Sequence, residues 1–233
     1  MDYGAAFTSS RVILPEMDLA YDPILLKDYV NLFLDSGHNW PDKDSDLSLL
    51  PIGEQLLNGV NYNIYEYKTA LYPHAVTLDG VAKEDDKAMA LPEKVAGMKV
   101  NRKADALFFL HTLLQQEEWK PPRKQPDVKG PYVFQYVVHY ADGTTQNIPV
   151  RLKEDIDYWL QRGSIKDLAN ASVAWTGKAR GPYSSAIYQL VWSNPRPDVE
   201  IESLDLEYTA DGKQWGSPVL LAITAATERY GLG

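Results

Sequence analysis

The chain contains no cysteine. Disulfide frameworks, thiolate nucleophiles and Cys-ligated zinc are therefore excluded. No apolar run is long enough to span a bilayer as a helix. Basic charge is scarce: 23 Lys and Arg stand against 32 Asp and Glu, a formal net charge of −9. Nucleic acids and anionic membranes both draw affinity from Lys and Arg, so neither is an expected partner. Standard catalytic signatures are missing as well. There is no Gly-x-Ser-x-Gly elbow, no Gly-x-x-x-x-Gly-Lys phosphate loop, no Gly-x-Gly-x-x-Gly turn and no His-x-x-x-His pair. Met1 to Ser10 has neither the basic nor the apolar region of a signal peptide. An exported form would carry its signal on a longer parent chain or would have lost it.

What is present suits a folded domain with a real core. The chain has 233 residues, 45% of them hydrophobic, with 15 Tyr and 6 Trp. That length fits one large β domain, and the aromatic supply suits a sheet core or a face for polar ligands. Residues 1–23 read as a tail or linker, 24–228 as the domain and 229–233 as a second tail. Lys103-Ala-Asp-Ala-Leu-Phe-Phe-Leu-His-Thr112 is the run around which the rest is organised. Ala104, Ala106, Phe108 and Leu110 point one way, and Asp105, Leu107, Phe109 and His111 the other. Both faces are largely apolar, which predicts a central strand covered on both sides.

Further strands are expected at Ile24–Leu34, Gly59–Ile64, Ala75–Leu78, Lys94–Val100, Pro131–Tyr140, Thr144–Arg151, Ala171–Thr176, Tyr183–Ser193, Ile201–Tyr208 and Pro218–Ala225. Asp142-Gly143 and Asp211-Gly212 are read as hairpin turns. Asp155–Arg162 reads as a helical turn. Gln115–Gly130 is a long, proline-bearing polar loop of the kind that often carries function. About eight to ten short strands without a βαβ rhythm predict an all-β fold, a two-sheet antiparallel β-sandwich of jelly-roll type.

Several stretches carry a family resemblance: Lys103 to Thr112; Val137-Val-His-Tyr-Ala-Asp-Gly-Thr144; Trp192-Ser-Asn-Pro-Arg-Pro-Asp198 with Ile201-Glu-Ser-Leu-Asp205; and, earlier, Trp40-Pro-Asp42, Asp46-Leu47, Leu50-Pro51 and Gly59-Val60. Together they resemble the non-catalytic, galactose-binding-like β-sandwich modules attached to bacterial glycoside hydrolases. The resemblance spans Tyr29 to Thr224. It implies a carbohydrate ligand, a polysaccharide-degrading enzyme as attached or partner protein, and a secreted or periplasmic setting. It also implies a structural calcium in an early loop.

The candidate residues each have a plainer reading. Asp42, Asp44 and Asp46 alternate in a loop and can offer oxygen ligands to calcium. They lack the glycine and glutamate of an EF-hand loop, and the plain reading is solvated charge. A sugar site combines a stacking aromatic ring with hydrogen-bonding side chains. Trp40, Trp119 and Trp215 lie in loop contexts, whereas Trp159, Trp175 and Trp192 lie in regular segments and read as core. Tyr65, Tyr67 and Tyr72 form another possible platform. His111 opens, with Thr112, toward the Gln115–Gly130 loop, and with His139 it offers an acid–base or metal pair; the plain reading of both is structural. Asn194 and Arg196 are either ligand-facing or a rigid strand terminus with a structural arginine. The expected ligand-binding set is thus Trp40, Tyr72, His111, Trp119, Asn194 and Arg196. Carboxylate pairs for glycoside hydrolysis need placement that abundance does not supply; Asp105, beside Lys103, is the one nearest the central strand. Three functions remain open: a sugar-binding module, a structural module packing on a catalytic domain, and a sugar-active hydrolase or lyase.

Overall fold

The computed structural model describes residues 18–38, 40–42, 44–66, 72–80, 91–115, 118–125 and 127–228. Both expected tails lie largely outside this range, as does Tyr67. The protein is all-β, built from antiparallel sheets, one of them curled like a half-barrel. Its strands are β1 (Leu19–Ile24), β2 (Gly53–Leu57), β3 (Val60–Ile64), β4 (Val76–Thr77), β5 (Lys94–Arg102), β6 (Ala106–Gln115), β7 (Tyr132–Tyr140), β8 (Thr145–Arg151), β9 (Leu160–Arg162), β10 (Ala171–Lys178), β11 (Tyr183–Ser193), β12 (Ile201–Tyr208) and β13 (Gly216–Glu228). A seven-stranded sheet runs β1-β13-β6-β11-β10, with β4 also on β13 and β9 also on β11; a four-stranded sheet runs β5-β12-β7-β8; β2 and β3 form a separate hairpin. The described residues therefore form three sheets where two were expected.

The central run is where its pattern puts it. β6 is the middle strand of the large sheet, and all but its last residue are buried. One face, with Leu107, Phe109 and Leu113, meets Val133, Phe134, Tyr136 and Val138 of β7 and Leu204 and Leu206 of β12 in one apolar cluster. Phe109 stacks on Tyr136 at 4.1 Å between ring centroids. The other face, with Ala106, Phe108, Leu110 and Leu114, packs under the β2–β3 hairpin and the 32–50 segment, including Leu32, Leu34, Trp40, Leu47, Val60, Tyr62 and Ile64. Burial on both faces requires the near-continuous apolar run seen in the sequence.

Three local expectations are corrected. The first described strand is Leu19–Ile24, which pairs with β13; of the expected strand Ile24–Leu34 only Ile24 belongs to it, and the rest forms turns and a bridge from Leu32 to Ala75. Pro23 is tolerated because β1 is an edge strand. Asp211-Gly212 does not close a hairpin. β12 and β13 belong to different sheets, and a 3-10 turn at Lys213–Trp215 carries the chain between them. Gly212 is needed there for space, since a Cβ would lie 1.6 Å from the Val133 carbonyl oxygen. Asp155–Arg162 is a turn leading into β9, which pairs with β11. Asp142-Gly143 does close the β7–β8 hairpin, with Gly143 at φ 82°. Among the described residues no helix is long and apolar enough to cross a membrane.

Candidate functional site

The β2–β3 hairpin is the element that lifts a site above the large sheet. Its turn is Asn58-Gly59, with φ of 50° and 76°. Positive φ at both central residues is the type I′ geometry that Asn-Gly favours, and its twist matches the flanking strands. Inward positions Val60, Tyr62 and Ile64 are buried in the core beneath. Among the described residues four side-chain hydrogen bonds pin the hairpin to its neighbours, one of them from Asn58 Nδ2 to Ser172 Oγ at 3.2 Å. Asn58 Nδ2 donates to the Val173 carbonyl of β10 at 3.1 Å. The buried Tyr62 hydroxyl donates to Gln189 Oε1 of β11 at 3.0 Å. Thr224 Oγ1 of β13 donates to the Asn61 carbonyl at 2.7 Å. A site on such a platform is held by the scaffold beneath it.

The outward positions of the hairpin line a shallow depression of about 260 Å³, with Leu25, Lys27, Gly53, Glu54, Asn63, Tyr65 and Glu66 around it. Glu54 and Asn63 are directly opposed across the two strands, so their side chains share one face. Tyr65 continues the outward register of Asn61 and Asn63 just beyond β3 and is half-buried. Gly53, at φ 78°, leaves space for Glu66: a Cβ there would meet Glu66 Oε2 at 2.9 Å. Among the described residues the lining thus combines one aromatic ring, one amide, two carboxylates and one ammonium. That mixture can stack on an apolar face and hydrogen-bond to a ring of hydroxyls. Nearby, burial holds His74 below its ordinary pKa against the opposing pull of the Asp35 and Glu66 carboxylates, which favours the neutral ring.

The residues expected from sequence fall elsewhere, and they do not assemble into one site. The Trp40 side chain is fully enclosed and packs edge-on to Trp159 at 4.9 Å. His111 and Thr112 are likewise fully buried, so the end of the central strand does not open toward the 115–130 loop. His111 Nε2 lies 3.2 Å from the Asp155 carbonyl oxygen and Nδ1 lies 3.0 Å from Tyr136 Oη. A carbonyl only accepts, so Nε2 carries the proton and Nδ1 accepts from the tyrosine. Burial pushes the His111 pKa down to about 4, opposed by the Asp155 carbonyl bond. Trp119 packs part-buried against the inter-sheet core, its backbone N–H donating to Tyr158 Oη at 3.1 Å. Tyr72 is 45% exposed.

Asn194 and Arg196 do come together, as a strand terminus. The buried Asn194 amide accepts from Tyr140 Oη at 2.6 Å and donates to the Ala104 carbonyl at 2.8 Å. Arg196 lies over the Tyr140 ring and pairs with Asp142 and Thr144 at the β7–β8 turn. The Arg196 bond holds Asp142 well below the usual carboxylate range. Asp105 is engaged in the same way: its carboxylate accepts the Glu228 backbone N–H at 2.7 Å rather than facing a substrate. His139 is separated from His111 by the sheet itself. It sits on the outer face of the four-stranded sheet with Nε2 2.9 Å from Asp205, off the line of the ring N–H. Asp205 and Glu207 each lie 2.7 Å from Lys94. Burial raises the Asp205 pKa, but the bonds from Lys94 and the Gly97 N–H, with the His139 ring close by, outweigh it and hold the group low.

The loop aspartates have protein partners. Asp44 lies 2.6 Å and Asp42 3.4 Å from the Arg180 guanidinium at the β10–β11 turn. Asp46 accepts from the Ser36 N–H and from the Ser48 N–H and hydroxyl. Among the described residues no group of three or more His, Asp or Glu side chains is arranged to hold a metal ion.

Of the depression's lining, sequence reasoning reaches only Tyr65. The overlooked signal is Asn58-Gly59: read as a type I′ turn, it defines the hairpin and puts Glu54, Asn63 and Tyr65 on one outward face. Compared with known proteins, the chain matches no family model and no curated sequence.

Proposed function

We propose that this protein is a galactose-binding-like β-sandwich module of jelly-roll type that binds carbohydrate without turning it over, through the β2–β3 depression. The fold part of the reading is supported by the two larger sheets facing each other across one apolar cluster, with β6 at the centre. The observation that carries the function is Tyr65 lining one depression with Asn63 and Glu54, which oppose each other across β2 and β3. An aromatic ring flanked by an amide and a carboxylate meets both chemistries of a sugar, its C–H face and its hydroxyls. Beside a polysaccharide-degrading enzyme, attached or as a partner, such a module raises the local concentration of substrate. Calorimetric titration with oligosaccharides of plant, algal and host glycans tests the reading. Saturable heat lost in Tyr65→Ala supports it. Heat that is absent across the panel, or unchanged in the variant, refutes it.

A second reading has its own observation. Leu25, 58% exposed, lines the depression, and Leu56, 69% exposed, shares the outward register of Glu54 on β2. Exposed apolar side chains of this kind mark a surface that packs on another domain. Leu56→Ser separates the two readings: it disrupts such packing in a longer parent chain and spares sugar binding at Tyr65.

A further inference from the structure

We propose that Asn58 is a site of spontaneous modification, at which deamidation across the Asn58-Gly59 bond releases the β2–β3 hairpin from β10. The inference goes beyond the carbohydrate reading and holds whether or not the depression takes a sugar. Of the asparagines in the sequence, only Asn58 precedes a glycine. Every other one is followed by a residue whose side chain crowds or blocks the peptide nitrogen. Asn58 and Gly59 are both exposed at the tip of the hairpin, and a Cβ placed on Gly59 would meet nothing within 4 Å. In a two-residue turn the N–H of the second central residue lies outside the strand ladder. The Gly59 nitrogen is therefore open to solvent base and to the side chain before it.

The reaction needs water alone. The Gly59 nitrogen gives its proton to solvent base and attacks Cγ of Asn58. A C–N bond forms, the Cγ–Nδ2 bond breaks, and Nδ2 takes up a proton and leaves as ammonia. Water then opens the five-membered imide at one carbonyl or the other, leaving aspartate or isoaspartate. What leaves is the group that pins the hairpin. Asn58 Nδ2 donates to the Val173 carbonyl at 3.1 Å and to Ser172 Oγ at 3.2 Å. A carboxylate only accepts, so it repels the Val173 carbonyl oxygen and keeps at most the Ser172 hydroxyl. Isoaspartate also adds a methylene to the main chain of a turn that is two residues long, which breaks the type I′ geometry. Ring closure first draws the amide off β10, and the product cannot return to both partners. The change therefore runs one way, from a latched hairpin in the new chain to a released one in the aged chain.

The test ages the intact chain at 37 °C, at pH 8 and at pH 5, beside a peptide of the sequence Gln55–Tyr62. Tandem mass spectrometry locates the exchange of NH2 for OH, an isoaspartyl methyltransferase counts isoaspartate, and hydrogen exchange reports on the β2–β3 hairpin. Two hydrogen bonds of ordinary strength predict conversion about tenfold slower than in the peptide. Asn58 should still convert ahead of every other asparagine, and faster at pH 8, where base is more abundant. Converted molecules should exchange their hairpin amide hydrogens about tenfold faster, and Asn58→Asp should do the same in unaged protein. Thermal melting checks that Asn58→Asp is folded. Conversion of another asparagine first, survival of Asn58 far beyond the expected time, or unchanged hairpin exchange in the converted chain overturns the proposal.

Discussion

Tyr136 of β7 donates its hydroxyl to Nδ1 of His111 on β6 across 3.0 Å, a buried hydrogen bond between the two larger sheets. The other ring nitrogen donates to the Asp155 carbonyl, so both polar ends of the imidazole are satisfied. The arrangement works only for the neutral ring. Burial holds the pKa at about 4, below the ordinary 6.5. Between these values the unfolded chain binds a proton that the folded chain does not, so stability falls as pH drops from 6.5 toward 4.

The first prediction follows. The His111 contribution to this loss is on the order of 3 kcal/mol, because the buried ring stays neutral down to about pH 4. His74, whose pKa is also lowered by burial, adds in the same direction. Urea denaturation of the wild type and His111→Gln at pH 7 and pH 4.5 isolates the effect. The variant should be less stable at pH 7 and should lose clearly less on acidification. An equal loss in both proteins would contradict the assignment.

Asn194 stands at the end of β11 as the shared partner of Tyr140 and the Ala104 carbonyl. Asn194→Ala leaves both buried groups unpaired and should cost about 2–4 kcal/mol. Tyr140→Phe, which removes one bond and keeps the ring under Arg196, should cost less. Chemical denaturation of the two variants checks the order.

Gly212 lies against the Val133 carbonyl at the crossover between sheets. Gly212→Ala should destabilise by several kcal/mol or prevent folding, because backbone rather than a flexible side chain must move. Asp211→Ala beside it, which creates no such clash, should change the melting temperature little. Soluble yield and thermal melting distinguish the pair.

Arg180 joins the β10–β11 turn to Asp42 and Asp44. The pairs are partly exposed, so Arg180→Ala should cost less than about 1 kcal/mol. With the aspartates so engaged, millimolar calcium or a chelator should leave the melting temperature of the wild type unchanged. A calcium-dependent rise would show that the loop exchanges Arg180 for the ion, as the family resemblance implies.

The sequence was most legible where burial imposes a strict pattern. β7, β11 and β12 run over the residues their apolar spacing predicts, and the doubly apolar β6 is the sheet centre. β1 and β2 are illegible for the opposite reason. β1 is an edge strand with Asp22 and Pro23 in it, and β2 has no buried position, alternating only half-buried and exposed ones. Their pairing partners, not their own residues, make them strands. Site residues were harder still. Trp40, His111 and Asn194 have the side chains of a ligand site, but each is consumed by a buried contact that only the tertiary structure shows. The depression draws residues from both strands of the β2–β3 hairpin, from just beyond β3 and from the segment after β1, so no single stretch of sequence advertises it.

The most direct test of the proposed site is a backbone-amide NMR titration of the intact protein with its best-binding oligosaccharide. The resonances of Glu54, Asn63, Tyr65 and Glu66 should shift together and saturate with one affinity, while those of Trp40, His111 and Asn194 stay in place. Saturable shifts centred on another surface, with the β2–β3 hairpin unmoved, would contradict it.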